Sequence, residues 1–209
     1  MVRRSTLALL AALVLLAGCG GSSDDGSEPA AKAVGKGRTS RFQGAVATPP
    51  KPAPALVLRD SRGKRVDIAR YRGKAVLVTF IYVHCPDICP LIVGNLNTTL
   101  AKLGPQASKV KVIAVSTDPR GDRPAAVNRF VAAHRMKGKM DYLLGSKSQL
   151  GRVWKNWGIV AQPDKADPDK VEHSSPIYGI SASGKITTLY PANFKPAMIV
   201  HDAPLLAAE

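Results

Sequence analysis

The segment FIYVHCPDICP, residues 80–90, places Cys85 and Cys89 with three residues between them and a proline after each. Two thiols so spaced can form a disulfide, run redox chemistry or clamp a metal ion. A purely structural disulfide here would close a very small loop, and cross-link stabilisation grows with loop length, so the pair would add little as a staple. A chain of 209 residues also has enough length to build a core without one. Other groups able to join such chemistry are the four histidines, His84, His134, His173 and His201, and Asp118 at the end of the run KVKVIAVSTD.

The compartment decides which thiol chemistry is open. The chain begins MVRRSTLALLAALVLLAGCG, a short basic stretch followed by an apolar run of signal-peptide length. Crossing a bilayer takes about 20 apolar residues, and the run falls short of that. Leu16-Ala17-Gly18-Cys19 resembles the lipobox of bacterial lipoproteins, which implies cleavage before Cys19 and lipidation of its thiol. Of the three cysteines this leaves Cys85 and Cys89, in an oxidising compartment. Residues 20–40 are rich in Gly, Ser, Asp and Lys and read as a flexible tether, and ATPPKPAPA as its stiffer end. The expected organisation is a leader over 1–18, a tether over 19–52 and one domain over 53–209. The formal net charge is +15, and cleavage would remove only Arg3 and Arg4 from the charged residues. No basic cluster interleaved with aromatics and no zinc-finger spacing is present, so nucleic-acid binding is not expected; anionic lipid or an acidic partner face suits the charge better.

The elements that must position the thiols follow from pattern. AVLVTFIYV, 75–83, is a continuous apolar, β-branched run, as in a strand buried on both faces. PLIVGNLNTTLAKLG, 90–104, has helical spacing and stops at Gly104. KVKVIAVSTD is a second buried strand, RPAAVNRFVAAHR a helix with Asp122 as its cap, DYLLG a short strand and SKSQLGRVWKNWG a helix packed through Trp154 and Trp157. SPIYGISASGKITTLYP reads as a hairpin turning at Ser183-Gly184, and KPAMIVHDAPLLAAE as a final helix bent or interrupted at Pro204. AQPDKADPDKVE, 161–172, is a polar insertion, either a surface loop or a mobile flap leading to His173. This order gives an α/β domain, a central mixed sheet with helices on both faces. The thiols fall where a central strand ends and a helix begins, the place where open α/β sheets bind ligands and where a helix N-terminus favours thiolate. They therefore read as a reactive dithiol.

The strand–Cys–helix order resembles the thioredoxin fold, and YVHCPDICP resembles the signature of the Sco/SenC proteins, membrane-anchored copper-binding proteins of cytochrome c oxidase assembly. VEHSSP places His173 where that family has its third metal ligand, and STDP places Asp118 at the family's aspartate after the middle strand. The sequence departs from the family in Glu172, where an Asp is usual, in the arginine of DPRGDRP, one residue early, and in Pro176, close behind the histidine near the usual cis-proline of thioredoxin-like proteins.

The resemblance implies that Cys85, Cys89 and His173 bind copper and that Asp118 supports them. Thiolates are soft donors that favour Cu(I), and an added imidazole makes the site tolerable to Cu(II). Positions i and i+4 share one face of a helical turn. His84 should point away from the pair, His134 should be a solvated helix residue, and His201 belongs to the last helix. The implied protein is a lipid-anchored copper chaperone on the extracytoplasmic side of the membrane. It would deliver copper to the dinuclear copper centre of cytochrome c oxidase, through that centre's subunit, and possess an option for loading by another copper chaperone. A thiol–disulfide reductase keeping the oxidase cysteines reduced is the second reading, and a copper-responsive binding module the third. Peroxidase chemistry, which needs a hydroxyl and an arginine beside a peroxidatic cysteine, does not suit the double-cysteine turn.

Overall fold

The computed structural model describes residues 40–163 and 171–209. The expected leader, Cys19 and the first part of the expected tether lie outside the described residues. Strand β4 (Ala75–Ile81) is buried along its whole length, as its apolar run requires. Its side chains alternate between two cores. Leu77 and Ile81 meet helices α1 (Ile88–Leu103), α2 (Pro124–Ala133) and α4 (Pro196–Ala207) on one face. Val76, Val78 and Phe80 meet α3 (Lys147–Trp157) on the other.

The remaining sheet strands are β1 (Ala45–Pro52), β2 (Val57–Asp60), β3 (Arg65–Asp67), β5 (Val110–Ser116), β6 (Met140–Leu144), β9 (Ile177–Ile180) and β10 (Lys185–Tyr190). They form one eight-stranded sheet in the order β1-β10-β9-β4-β5-β6-β2-β3. The pairs β4–β5 and β5–β6 are parallel, and the others are antiparallel. The mixed sheet with helices on both faces is the expected fold. A second, two-stranded antiparallel sheet joins β7 (Ala161–Pro163) to β8 (Val171–His173).

Three local expectations change. The Pro-rich stretch expected to be the stiff end of a tether is edge strand β1, so the sheet begins at Ala45 rather than after 52. An edge strand tolerates prolines because one side of its backbone has no partner to lose. Asp202, with no side-chain exposure, locks the entry to β1 by accepting from the amides of Gln43 and Gly44 and from the Tyr190 hydroxyl. The two ends of the polar insertion, read as a loop or a flap, pair as β7 and β8. Helix α4 runs on through Pro204, held by Ala203 and Leu206 in the core. Gly184 does turn the β9–β10 hairpin, at φ +78.

Gly179 in β9 has no room for a side chain: an added Cβ would overlap Thr188 Oγ1 and press on Leu206 and Tyr190. Overpacking of this kind costs about 1–3 kcal/mol. Gly179→Ala is expected to lower the unfolding free energy by that amount in denaturant titration.

Candidate metal centre

Strand β4 delivers the chain to a short loop, residues 82–87, and α1 starts at Ile88. Asp87, the N-cap residue, makes no side-chain capping bond. A first-turn amide is satisfied by sulfur instead: Cys89 N–H donates to Cys85 Sγ at 3.4 Å. Cys85 is 8% exposed and Cys89 fully buried.

Their environments push the two thiols apart. The Cys85 thiol is lowered to about 5, first by the hydrogen bond it receives from the Cys89 thiol. Burial opposes that fall, while the amides of Asp87 and Cys89 and the nearby His173 assist it. Cys89 is pushed up, by its bond to Cys85 and by burial. The pair therefore carries one proton at neutral pH, with Cys85 as thiolate and Cys89 as donor, and titrates as a unit.

His173 ends β8 and reaches this pair from a different element. Its Nε2 lies 3.8 Å from Cys89 Sγ. Tyr82 holds the ring edge-on at 5.5 Å between centroids. Nδ1 lies 3.2 Å from the Ser174 carbonyl and 3.0 Å from Ser175 Oγ. A carbonyl only accepts, so with Nδ1–H donating to it the Nε2 lone pair faces the sulfurs. Burial lowers the His173 pKa, which favours the neutral, ligating imidazole.

Cys89 and His173 are spaced to share a soft metal ion. With metal bonds of about 2.3 Å to sulfur and about 2.0 Å to imidazole nitrogen, as at zinc, two donors on one ion sit roughly 3.6 Å apart. The Cys89–His173 separation of 3.8 Å is close to that. Among the described residues no three His, Cys, Asp or Glu side chains are gathered closely enough to hold a metal ion, so the third donor has still to close in. Cys85 and His173 line an open groove of about 500 Å³ with Tyr82, Ile88, Val160 and Val171, while Cys89 is buried; Val160, also on the groove, is 62% exposed. An open groove suits cargo that must enter and leave.

The other sequence candidates separate. Asp118 is buried but turns into its own loop: its carboxylate accepts from Arg120 N–H at 3.0 Å, and it sits with His84 around Gly121. The exposed His84 points there rather than to the groove, as expected for the residue beside Cys85. His134 caps α2 and bonds the Phe130 carbonyl, and His201 on α4 pairs with Asp202. Trp157 is buried against Phe80 and Tyr178, and Trp154 donates to the Ser116 carbonyl, so both pack as expected.

The acid that holds the cysteine loop is Asp122. It is not the cap of α2; Arg123 is the N-cap residue and makes no side-chain capping bond. Asp122 is 4% exposed and accepts from Val83 N–H at 2.9 Å, Ser116 Oγ–H at 2.6 Å and Tyr142 O–H at 2.8 Å. Burial raises its pKa to about 6 despite these donors. The sequence offers no signal for this, because its partners come from β5, β6 and the loop after β4. Leaving buried donors unpaired costs about 1–3 kcal/mol for each group. Asp122→Ala is therefore expected to lose several kcal/mol of stability and to loosen the loop, seen as faster exchange of the Val83 amide proton.

The chain resembles known proteins in both sequence and fold. Residues 48–206 match the SCO1/SenC family model. The mouse mitochondrial SCO2 homologue is 31% identical over 138 residues, 64% of this chain and 53% of that protein, so the chain spans about half the length of this relative. The solution structure of apo Sco1 from Thermus thermophilus is 27% identical with a TM-score of 0.70, covering 81% of this chain and 99% of that one. The structure of Bradyrhizobium japonicum ScoI with copper bound is 26% identical with a TM-score of 0.66, covering 74% of this chain and 99% of that one. With the family match extending from the edge strand to the last helix, around a dithiol and a facing imidazole, the chain belongs to the SCO1/SenC family.

Proposed function

We propose that this protein is a copper chaperone of cytochrome c oxidase assembly, anchored by lipid at Cys19 on the outer side of the cytoplasmic membrane. Cys85, Cys89 and His173 are its copper ligands. The observation that carries this reading is the neutral His173 Nε2 facing Cys89 Sγ at 3.8 Å, a spacing suited to one shared ion. A relative solved with copper bound supports the choice of metal. Copper enters the open groove and leaves by ligand exchange to the copper-bearing subunit of the oxidase. The dithiol first loses its remaining proton, since a thiol must be deprotonated to bind.

The thiolate of Cys85 beside a protonated Cys89 also favours a second reading, a reductase for the oxidase cysteines. Thiolate attack on a disulfide requires no metal.

Among the described residues no helix is long and apolar enough to cross a membrane. Attachment through Cys19 predicts that Cys19→Ala accumulates with its leader uncleaved or away from the membrane fraction, as read by fractionation and intact mass. The chaperone reading is tested by metal analysis of the reduced full chain and by copper content of the oxidase in cells lacking the protein. About one copper per chain and a copper-poor oxidase are expected. A copper-replete oxidase in those cells would remove the delivery role.

A further inference from the structure

A second crevice, which shares no lining residue with the groove at the dithiol, lies at the carboxyl ends of β5 and β6. Helix α2 follows β5 and packs on one face of the sheet through Val127 and Val131; α3 follows β6 and packs on the other through Leu150 and Val153. Adjacent parallel strands whose helices go to opposite faces leave an opening at their carboxyl ends, the usual ligand position in open α/β sheets. Here the opening measures about 470 Å³, and Arg59, Arg65 and Arg123 line it.

The placing of these arginines is electrostatically unfavourable in the free protein. Arg59 and Arg65 are directly opposed in the β2–β3 register. Like charges in that position repel. Arg123 adds a third guanidinium from the start of α2. Two are already braced: Arg59 donates to the Gly63 carbonyl at 2.7 Å and Arg123 Nε to the Arg120 carbonyl at 2.9 Å. Those bonds use one N–H of each fork. Little negative charge answers them. Asp67 is 3.8 Å from a mostly exposed Arg65, and the lining carboxylate, Asp122, is committed to Val83, Ser116 and Tyr142.

We propose that this crevice is an anion site for a phosphate-type dianion, either free or as a phosphate-bearing lipid headgroup. A carboxylate has two oxygens and satisfies one guanidinium fork; three guanidiniums from separate elements suit a tetrahedral oxyanion with more oxygens to share. The lipid source has its own structural support. Ala45 opens β1 opposite Leu189, near the end of β10, so the chain joins the sheet at the same end as the crevice. On the anchoring reading above, which only the lipid source needs, that end is tied to the bilayer.

The test uses the purified full chain in uncharged detergent, at constant ionic strength set with chloride. Inorganic phosphate, pyrophosphate and dihexanoyl phosphatidic acid are titrated by calorimetry, with dihexanoyl phosphatidylcholine as the control lipid. Saturable binding near one per chain is expected. Each of R59Q, R65Q and R123Q should weaken it about tenfold, the equivalent of one lost charged hydrogen bond. The triple variant should show none while keeping its copper stoichiometry. Binding of the inorganic anions identifies a free-anion site, and binding of phosphatidic acid alone a headgroup site; either supports the proposal. No binding by the wild type, or equal binding by the triple variant, overturns it. R65E supplies a carboxylate opposite Arg59, so it should abolish phosphate binding and unfold at a higher temperature than R65Q. An R65E that binds phosphate like the wild type would also overturn the proposal.

Discussion

Cys85→Ser and Cys89→Ser should each abolish tight copper binding, by at least about a thousandfold, equivalent to about 4 kcal/mol. Serine keeps the shape of the turn but replaces a soft, ionisable donor with a hydroxyl that stays protonated. Competition against a Cu(I) chelator measures the loss, and stoichiometric copper in the double variant would exclude the site. The two positions should differ without metal. Cys85, lowered to about 5, should react first with iodoacetamide at neutral pH, and its reactivity should fall as the pH drops through about 5. The linkage has a definite sign. The Cys85 thiol is depressed from 9.0 in the folded protein, so the stability it contributes is complete above that ordinary value and is lost as pH falls through about 5. Reduced apoprotein should therefore gain stability across that window on raising the pH. Cys85→Ser should flatten this part of the profile, in denaturant melts at a series of pH values.

His173→Ala should separate metal binding from thiol exchange. A disulfide exchange site needs an attacking thiolate and a leaving thiol, and α1 with its own loop supplies both. The third donor comes from β8, so removing it leaves Cys89 N–H on Cys85 Sγ at 3.4 Å undisturbed. Cu(II) affinity is expected to fall at least about a hundredfold, about 2.7 kcal/mol, and Cu(I) affinity less, because Cu(I) is content with thiolates. The Cys85–Cys89 pair should still form and exchange a disulfide. Measuring copper affinity, dithiol reduction potential and oxidase assembly on this one variant decides between the two readings. Assembly that persists after copper binding is lost favours the reductase; assembly that fails while exchange is intact favours the chaperone.

Much of the centre was legible because it is local. The residues from Ala75 to Leu103 carry their own strand, turn and helix signals, and the i, i+4 thiols fall at the junction by necessity. The helices, the parallel strands and the late hairpin were readable for the same reason, since period and turn residues act over a few positions. His173 was placed by its motif and not by physics, because nothing in VEHSSP alone says what the ring will face.

Where long-range pairing competes with local propensity, the sequence was a poor guide. ATPPKPAPA is a spacer by composition and becomes β1 only because β10 offers it an edge and Asp202 binds the amides before it. The polar insertion acquires strands at its two ends because β7 and β8 find each other, and that pairing carries His173 to Cys89. Asp118 and Asp122 are equivalent acids in one loop until the fold brings Val83, Ser116 and Tyr142 around the second. The sequence by itself determined the dithiol, its strand and helix, and the α/β order of the domain, all set by neighbours close along the chain. Tertiary structure alone decided which edge takes the first strand, which imidazole meets the sulfurs and which carboxylate holds their loop. Those outcomes depend on contacts between residues distant in sequence, whose energies no local pattern contains.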